Sequence, residues 1–235
     1  MFKLLSTANP KIQKGTAKGY LSFILHLAPA RLSGKEVCPK RTAGCTAACL
    51  NTAGRGGMFR RGETTNVIQQ ARVRKTKMFF DQREAFMAAL VADINKAVKM
   101  SAKLGLTPAI RLNGTSDLSW EKYEAAHGKN IFELFDYVQF YDYTKVLGRK
   151  VKHLKNYHLT FSAADGNDAD VAEALLQGMN VTVVYDKIPE GTYSADEDDL
   201  RFLDGQVGII GLKAKGRAKK DTTGFVKRTI MMAVA

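Results

Sequence analysis

Cysteine is scarce, with three residues in 235. An odd set cannot close into disulfides, which excludes a small stapled secreted fold. Long apolar runs are missing too. The longest, Tyr20 to Ala30, is interrupted by His26 and Pro29 and falls short of the roughly 20 residues that span a bilayer. It also lacks the small-residue cleavage site of a secretory signal. There is no internal repeat and no low-complexity tract, and 45% hydrophobic with 25% charged residues excludes a disordered or collagen-like chain. No G-x4-G-K-[ST] phosphate loop, no G-x-S-x-G elbow and no H-x-E with C-x2-C occurs, so three familiar nucleotide and hydrolase sites are out. Acidic residues are in deficit, 23 against 36 Lys and Arg, for a net charge of +13. That balance favours anionic partners, either a small anionic ligand or nucleic acid, in a soluble intracellular protein with no membrane segment.

What is present reads as one α/β domain over residues 1–235. Residues 1–19 form a basic arm or hairpin, 30–62 a long loop rich in Gly, Arg and Thr, and 213–235 a basic C-terminal segment. Apolar segments predict strands at Tyr20 to Leu27, Thr107 to Leu112, Tyr137 to Tyr141, Tyr157 to Phe161, Asn180 to Tyr185 and Gln206 to Leu212. Helical spacing or caps predict helices over Thr64 to Phe80, Gln82 to Leu104, Trp120 to Leu134, Thr144 to Leu154, Asp168 to Gln177 and Ala195 to Leu203. Six alternations of strand and helix are the pattern of a parallel sheet with helical crossovers. An open doubly wound sheet and a (β/α) barrel both fit; the expectation is a TIM-like (β/α) barrel, six-stranded and partial or open.

In either architecture ligands sit at the carboxyl ends of the strands. The cysteines lie there, in the loop after the first strand, as Cys38, Cys45 and Cys49 with spacing C-x6-C-x3-C. Free thiols often pack as small hydrophobes, but three in one polar loop point to a metal. Structural zinc usually takes C-x2-C pairs and a fourth ligand, for which only His26 lies near in sequence. Three soft thiolates suit an iron–sulfur cluster better, either [4Fe–4S] with one iron open or [3Fe–4S].

The same rim offers ligand-binding candidates. Arg111 and Asp117 form a possible pair for an anion, and Asn113 opens an Asn-Gly-Thr turn of backbone donors. Tyr141 and Tyr143 end the third strand, and Lys187 and Lys213 stand just past theirs. Basic residues are densest at Arg55 to Arg61, Arg72 to Lys77 and Lys213 to Lys220. These support nucleic-acid binding with a structural iron–sulfur or zinc site as the second functional reading.

The run FILHLAPA, followed by VCPKRTAGCTAACLNTAG, resembles the opening of an uncharacterised bacteriophage gene-product family. There an apolar strand ends near Leu-Pro-Ala and a Cys-Pro element and two further cysteines follow. The matching residues are Leu27 to Ala30, Cys38-Pro39, Cys45, Cys49, Arg72 to Thr76 and Arg111 to Asp117. This resemblance implies a viral origin and the cytoplasm of an infected bacterial host. More distantly, three cysteines after strand one of a partial barrel are similar to radical S-adenosylmethionine (SAM) enzymes, whose spacing is C-x3-C-x2-C. That likeness implies SAM as a possible cofactor alongside the cluster.

Overall fold

The computed structural model describes residues 3–7, 19–194 and 208–229. Its centre is one eight-stranded sheet. The strands are β1 (Leu5–Ser6), β2 (Tyr20–Leu25), β3 (Thr107–Arg111), β6 (Gln139–Thr144), β7 (Tyr157–Ser162), β8 (Val181–Tyr185), β9 (Tyr193–Ser194) and β10 (Ile209–Lys213). A separate two-stranded ribbon pairs β4 (Glu124–Ala126) with β5 (Lys129–Asn130). The helices are α1 (Ala43–Ala47), α2 (Val67–Asp81), α3 (Arg83–Lys103), α4 (Ile131–Leu134) and α5 (Asp168–Leu176).

The six principal strands, β2, β3, β6, β7, β8 and β10, are parallel and adjacent in sequence order. Among the described residues no reversal of order occurs, so the sheet is singly wound rather than doubly wound, and a TIM-like barrel is not seen. The ring does not close among the described residues. β1 pairs antiparallel on the outer edge of β2, and β9 pairs parallel outside β10. Both edges at which a TIM-like barrel would join therefore carry short edge strands, and the sheet stays open.

Strand alternation sends successive side chains to opposite faces. On one face Phe23, Leu25, Ile110, Leu112, Phe140 and Tyr157 join Phe79, Phe86, Leu90 and Ile94 of α2 and α3 in the main core. Asn66 caps α2 by accepting from the Ile68 and Gln69 amides, and α3 ends where Gly105 turns to positive φ. Trp120, fully buried, meets Phe79 edge-on at 5.1 Å between ring centroids. α5 buries Ala174 against Phe161, Val181 and Val183 on the same face. The three long helices thus share one side, as right-handed crossovers of a singly wound sheet require. On the other face Ala109, Tyr141 and Ile210 form one cluster with Tyr20, Tyr143 and Leu212. That cluster joins β3 and β6 to β10 although β7 and β8 stand between, so the sheet curls around this face.

Two expected helices do not form. Over 120–134, His127 and Gly128 both adopt positive φ, the backbone of a tight hairpin turn, and the chain makes β4, β5 and the one-turn α4. Over 144–154 the Lys145 amide is tied to Asp117 and Gly148 takes positive φ, leaving a series of turns. The arm at 8–18, the expected helix at 195–203 and the end of the basic tail at 230–235 lie outside the described residues.

Candidate functional site

The loop after β2 folds back over the carboxyl ends of the strands. Thr42 caps α1 by accepting from the Cys45 amide at 3.1 Å. Asp165, just past β7, receives the Thr42 hydroxyl and the Gly44 amide. These bonds hold the Asp165 carboxyl below the usual carboxylate range despite the opposing push of burial. Gly44 is required: a Cβ there would stand 2.5 Å from Asp165 Oδ1 and 2.7 Å from Phe225 Cβ. A short acidic residue and a missing Cβ thus clamp the middle of the cysteine loop to the far half of the sheet.

The three thiols lie within electrostatic reach of one another. Burial pushes Cys38 up to about 12, and Cys49, Cys45 and Asp117 add to the rise. Its Sγ accepts from the Ala30 amide at 3.4 Å. Burial raises Cys49 as well and Cys45 adds to it, while Arg72 and Lys145 pull the other way. Two cations therefore flank the cysteine group. Arg72 is buried and donates from Nη1 to the carbonyl and side-chain oxygens of Asn51 at 3.0 and 2.6 Å, and its Nε has no partner among the described residues. Among the described residues no three His, Cys, Asp or Glu side chains are drawn together closely enough to hold a single metal ion. Zinc would need its sulfurs at about 2.3 Å from one point, whereas a cube of irons spaces its thiolates much more widely.

Beneath the loop, the curled face of the sheet carries polar side chains beside its apolar cluster. Its register places Ser22 and His26 from β2 and its end, Arg111 from β3, Tyr141 and Tyr143 from β6, and Thr160 from β7 on one side. Arg111 lies over the Tyr143 ring at 4.6 Å. His26 Nδ1, Arg111 Nε and Thr160 Oγ1 are buried on this face and have no hydrogen-bond partner among the described residues. Unsatisfied buried groups are rare and mark places where water or a ligand is held. His26 packs against Gly114, where a Cβ would come within 2.2 Å of Nδ1. Burial, with Arg72, Arg111 and Lys75 nearby, lowers His26 to about 3, so its ring is neutral at ordinary pH.

Arg111, Tyr141 and Tyr143 thus share the face under the cysteine loop, and the other rim candidates do not. Asn113 Oδ1 accepts from Ser116, Leu118 and Trp120, and Nδ2 donates to the Leu118 carbonyl, so its side chain is spent on shaping the turn. Asp117 does not pair with Arg111. Its carboxylate accepts from Thr144 Oγ1 at 2.7 Å and from the Lys145 amide at 2.8 Å, with Arg149 4.0 Å away. Lys213 belongs to the outward register of β10, and Lys187 is exposed beyond β8. A cleft of about 280 Å³ opens at the opposite end of the sheet, between Tyr20 and Asn156, away from this chemistry.

A family model described as Gene product 88 matches residues 3–229. The chain belongs to the Gene product 88 family. The match extends the phage gene-product resemblance, carried in sequence by the cysteine segment, over nearly the whole chain. No curated protein and no solved structure matches significantly, and the likeness to radical SAM enzymes is not among these findings. In this Gene product 88 chain, sequence reasoning passed over His26 as a group of the inner face, Arg72 and Thr160. The signals were there. Gln69, Arg72, Thr76 and Phe79 recur at helical spacing and are all buried, and His26 continues the two-residue alternation of Ser22 and Ile24.

Proposed function

We propose that Cys38, Cys45 and Cys49 hold an iron–sulfur cluster, [4Fe–4S] or [3Fe–4S], at the mouth of a partial barrel. The observation that carries this reading is the gathering of three half-buried thiols, with Arg72 and Lys145 beside Cys49, in the loop after the first parallel strand. Such a cluster supplies one-electron chemistry and, in the cubane form, an iron open to an outside ligand. The thiols must lose their protons to bind iron, so binding releases protons and strengthens as pH rises. The cations beside Cys49 offset the thiolate charge that burial would otherwise oppose.

The ligand of this site is a small anion. Arg111 offers it an unpaired guanidinium N–H, Thr160 a hydroxyl and His26 a neutral ring nitrogen, all on the face below the cysteines. Tyr143 holds the Arg111 side chain in place by stacking. SAM, a net cation that would meet Arg111 only through its carboxylate, is a second candidate ligand, supported by the sequential strand order and the three-cysteine loop, and the reaction would take place in the cytoplasm of the phage-infected cell. The test uses anaerobically reconstituted protein and single alanine variants at Cys38, Cys45 and Cys49. The reading expects each variant to lose most of the bound iron and sulfide while staying folded. Iron retained by all three variants would refute it. Formation of 5′-deoxyadenosine by reduced protein with SAM decides the SAM reading separately.

A further inference from the structure

Charge on this chain is concentrated. Residues 31–63 and 213–228 together hold fourteen Lys and Arg against three Asp and Glu, so they carry a net +11 of the chain's +13. The two segments are neighbours in space. Gly216 approaches Ala53 so closely that a Cβ on it would lie 3.4 Å from that of Ala53, and Ala48 packs with Ala214, Ala218 and Val226. The cysteine loop and the chain after β10 therefore pack side by side at the carboxyl end of the sheet, which brings their basic residues to that end.

Acids offset part of this charge: Lys35, Lys227 and Arg228 pair with Asp81, Asp168 and Asp186. Glu36 is taken up by Arg31 and Arg41. Asp221 accepts from the Thr223 amide and hydroxyl and from the Val226 amide. Glu63 accepts from the Arg60 amide. Arg55, Arg60, Arg61, Arg217, Lys219 and Lys220 stay exposed. Beside the arginines, Phe59 is 37% and Met58 68% exposed. Guanidinium groups with an exposed ring are the chemistry of a single-strand platform, in which cations track phosphates and the ring stacks on a base.

We infer that this face binds single-stranded nucleic acid across the mouth of the sheet, with Phe59 stacking on a base and the two basic segments holding the phosphodiester backbone. The inference does not depend on the cluster, because binding is read directly with or without iron. The experiment measures fluorescence anisotropy of labelled 20-nucleotide DNA and RNA single strands, with the duplex and phosphatidylserine vesicles as competitors, over a range of salt. Single strands are expected to bind best, with an affinity that falls steeply as salt rises. Replacing Arg60 and Arg61 with alanine, or Arg217, Lys219 and Lys220 together, should cost at least tenfold and flatten the salt dependence. Phe59→Ala should cost about tenfold at unchanged salt dependence, within the stacking range of alanine substitutions. All these side chains are exposed, so thermal melting of the variants should match the parent. No binding at low salt, vesicles competing as well as the single strand, or charge variants that bind normally would overturn the inference.

Discussion

Half-buried His26 and buried Asp142 both feel Arg111 and respond to pH in opposite senses. His26 titrates at about 3 instead of 6.5, through burial and then through Arg72, Arg111 and Lys75. Its folded value is depressed, so the stability it contributes is complete above pH 6.5 and is lost as pH falls toward 3. Burial raises Asp142 to about 7 against the pull of Arg111 and the Asn113 amide. Here the folded state holds the proton more tightly, so stability is lost as pH rises from about 4 to 7. Between those limits the two effects oppose. Asp142→Asn should therefore steepen the acid loss of stability, by at most about 1.4 kcal/mol per pH unit. Denaturant melts from pH 7 to 4 check this, and parallel curves for parent and variant would contradict it. Asn113→Ala should cost about 3 kcal/mol, because it strands the buried Trp120 Nε1 and Leu118 amide; an unchanged melting temperature would contradict that role. In iron-free protein Cys38, at about 12, should alkylate far more slowly with iodoacetamide at pH 8 than an unhindered thiol. Residues of this kind were half legible. Asn113 and Asp117 stood out as polar groups at a strand end, but only the hydrogen bonds show that their polarity is consumed within the turn. Arg72 looked like one more cation in a basic run, yet helix phase turns it inward.

Elements were more legible than side-chain roles. Apolar segments located all six parallel strands, and the order of strand and helix already implied crossover winding. The failures have local causes. His127-Gly128 reverses the chain inside an apparently helical stretch, and β1 and β9 are too short to announce themselves as the edges that keep the sheet open. The element that matters most to the site is α1, whose five residues are too few to hold themselves in place. Its position rests on Asp165, Thr42 and the bare Cα of Gly44. Gly44→Ala should push α1 off the sheet and lower reconstituted iron by more than half, with a smaller effect on the melting temperature. Full iron loading in that variant would show that the clamp does not position the cysteines. Asp165→Ala should act in the same direction, since both contacts to the loop are lost.

At the scale of the whole molecule the chain has a chemical polarity along its strands. The long helices and the aromatic core lie on one face of the sheet, and the curled face opposite sets polar groups beside a smaller apolar cluster. At one end of that face lie the cysteines, the buried Arg72 and the two most basic segments of the chain. Composition revealed that the chain is basic; its concentration at the mouth followed only from the packing of residues 213–228 against the cysteine loop. The account's central claim is that this end holds an iron–sulfur cluster on three thiolates. The most direct measurement is the iron and sulfide content of protein purified without oxygen, with electron paramagnetic resonance before and after reduction. The account expects three to four irons per chain with matching sulfide, on the order of a [3Fe–4S] or [4Fe–4S] cluster, and a signal that changes on one-electron reduction. Stoichiometric zinc, or protein that takes up no iron and sulfide on reconstitution, would contradict it.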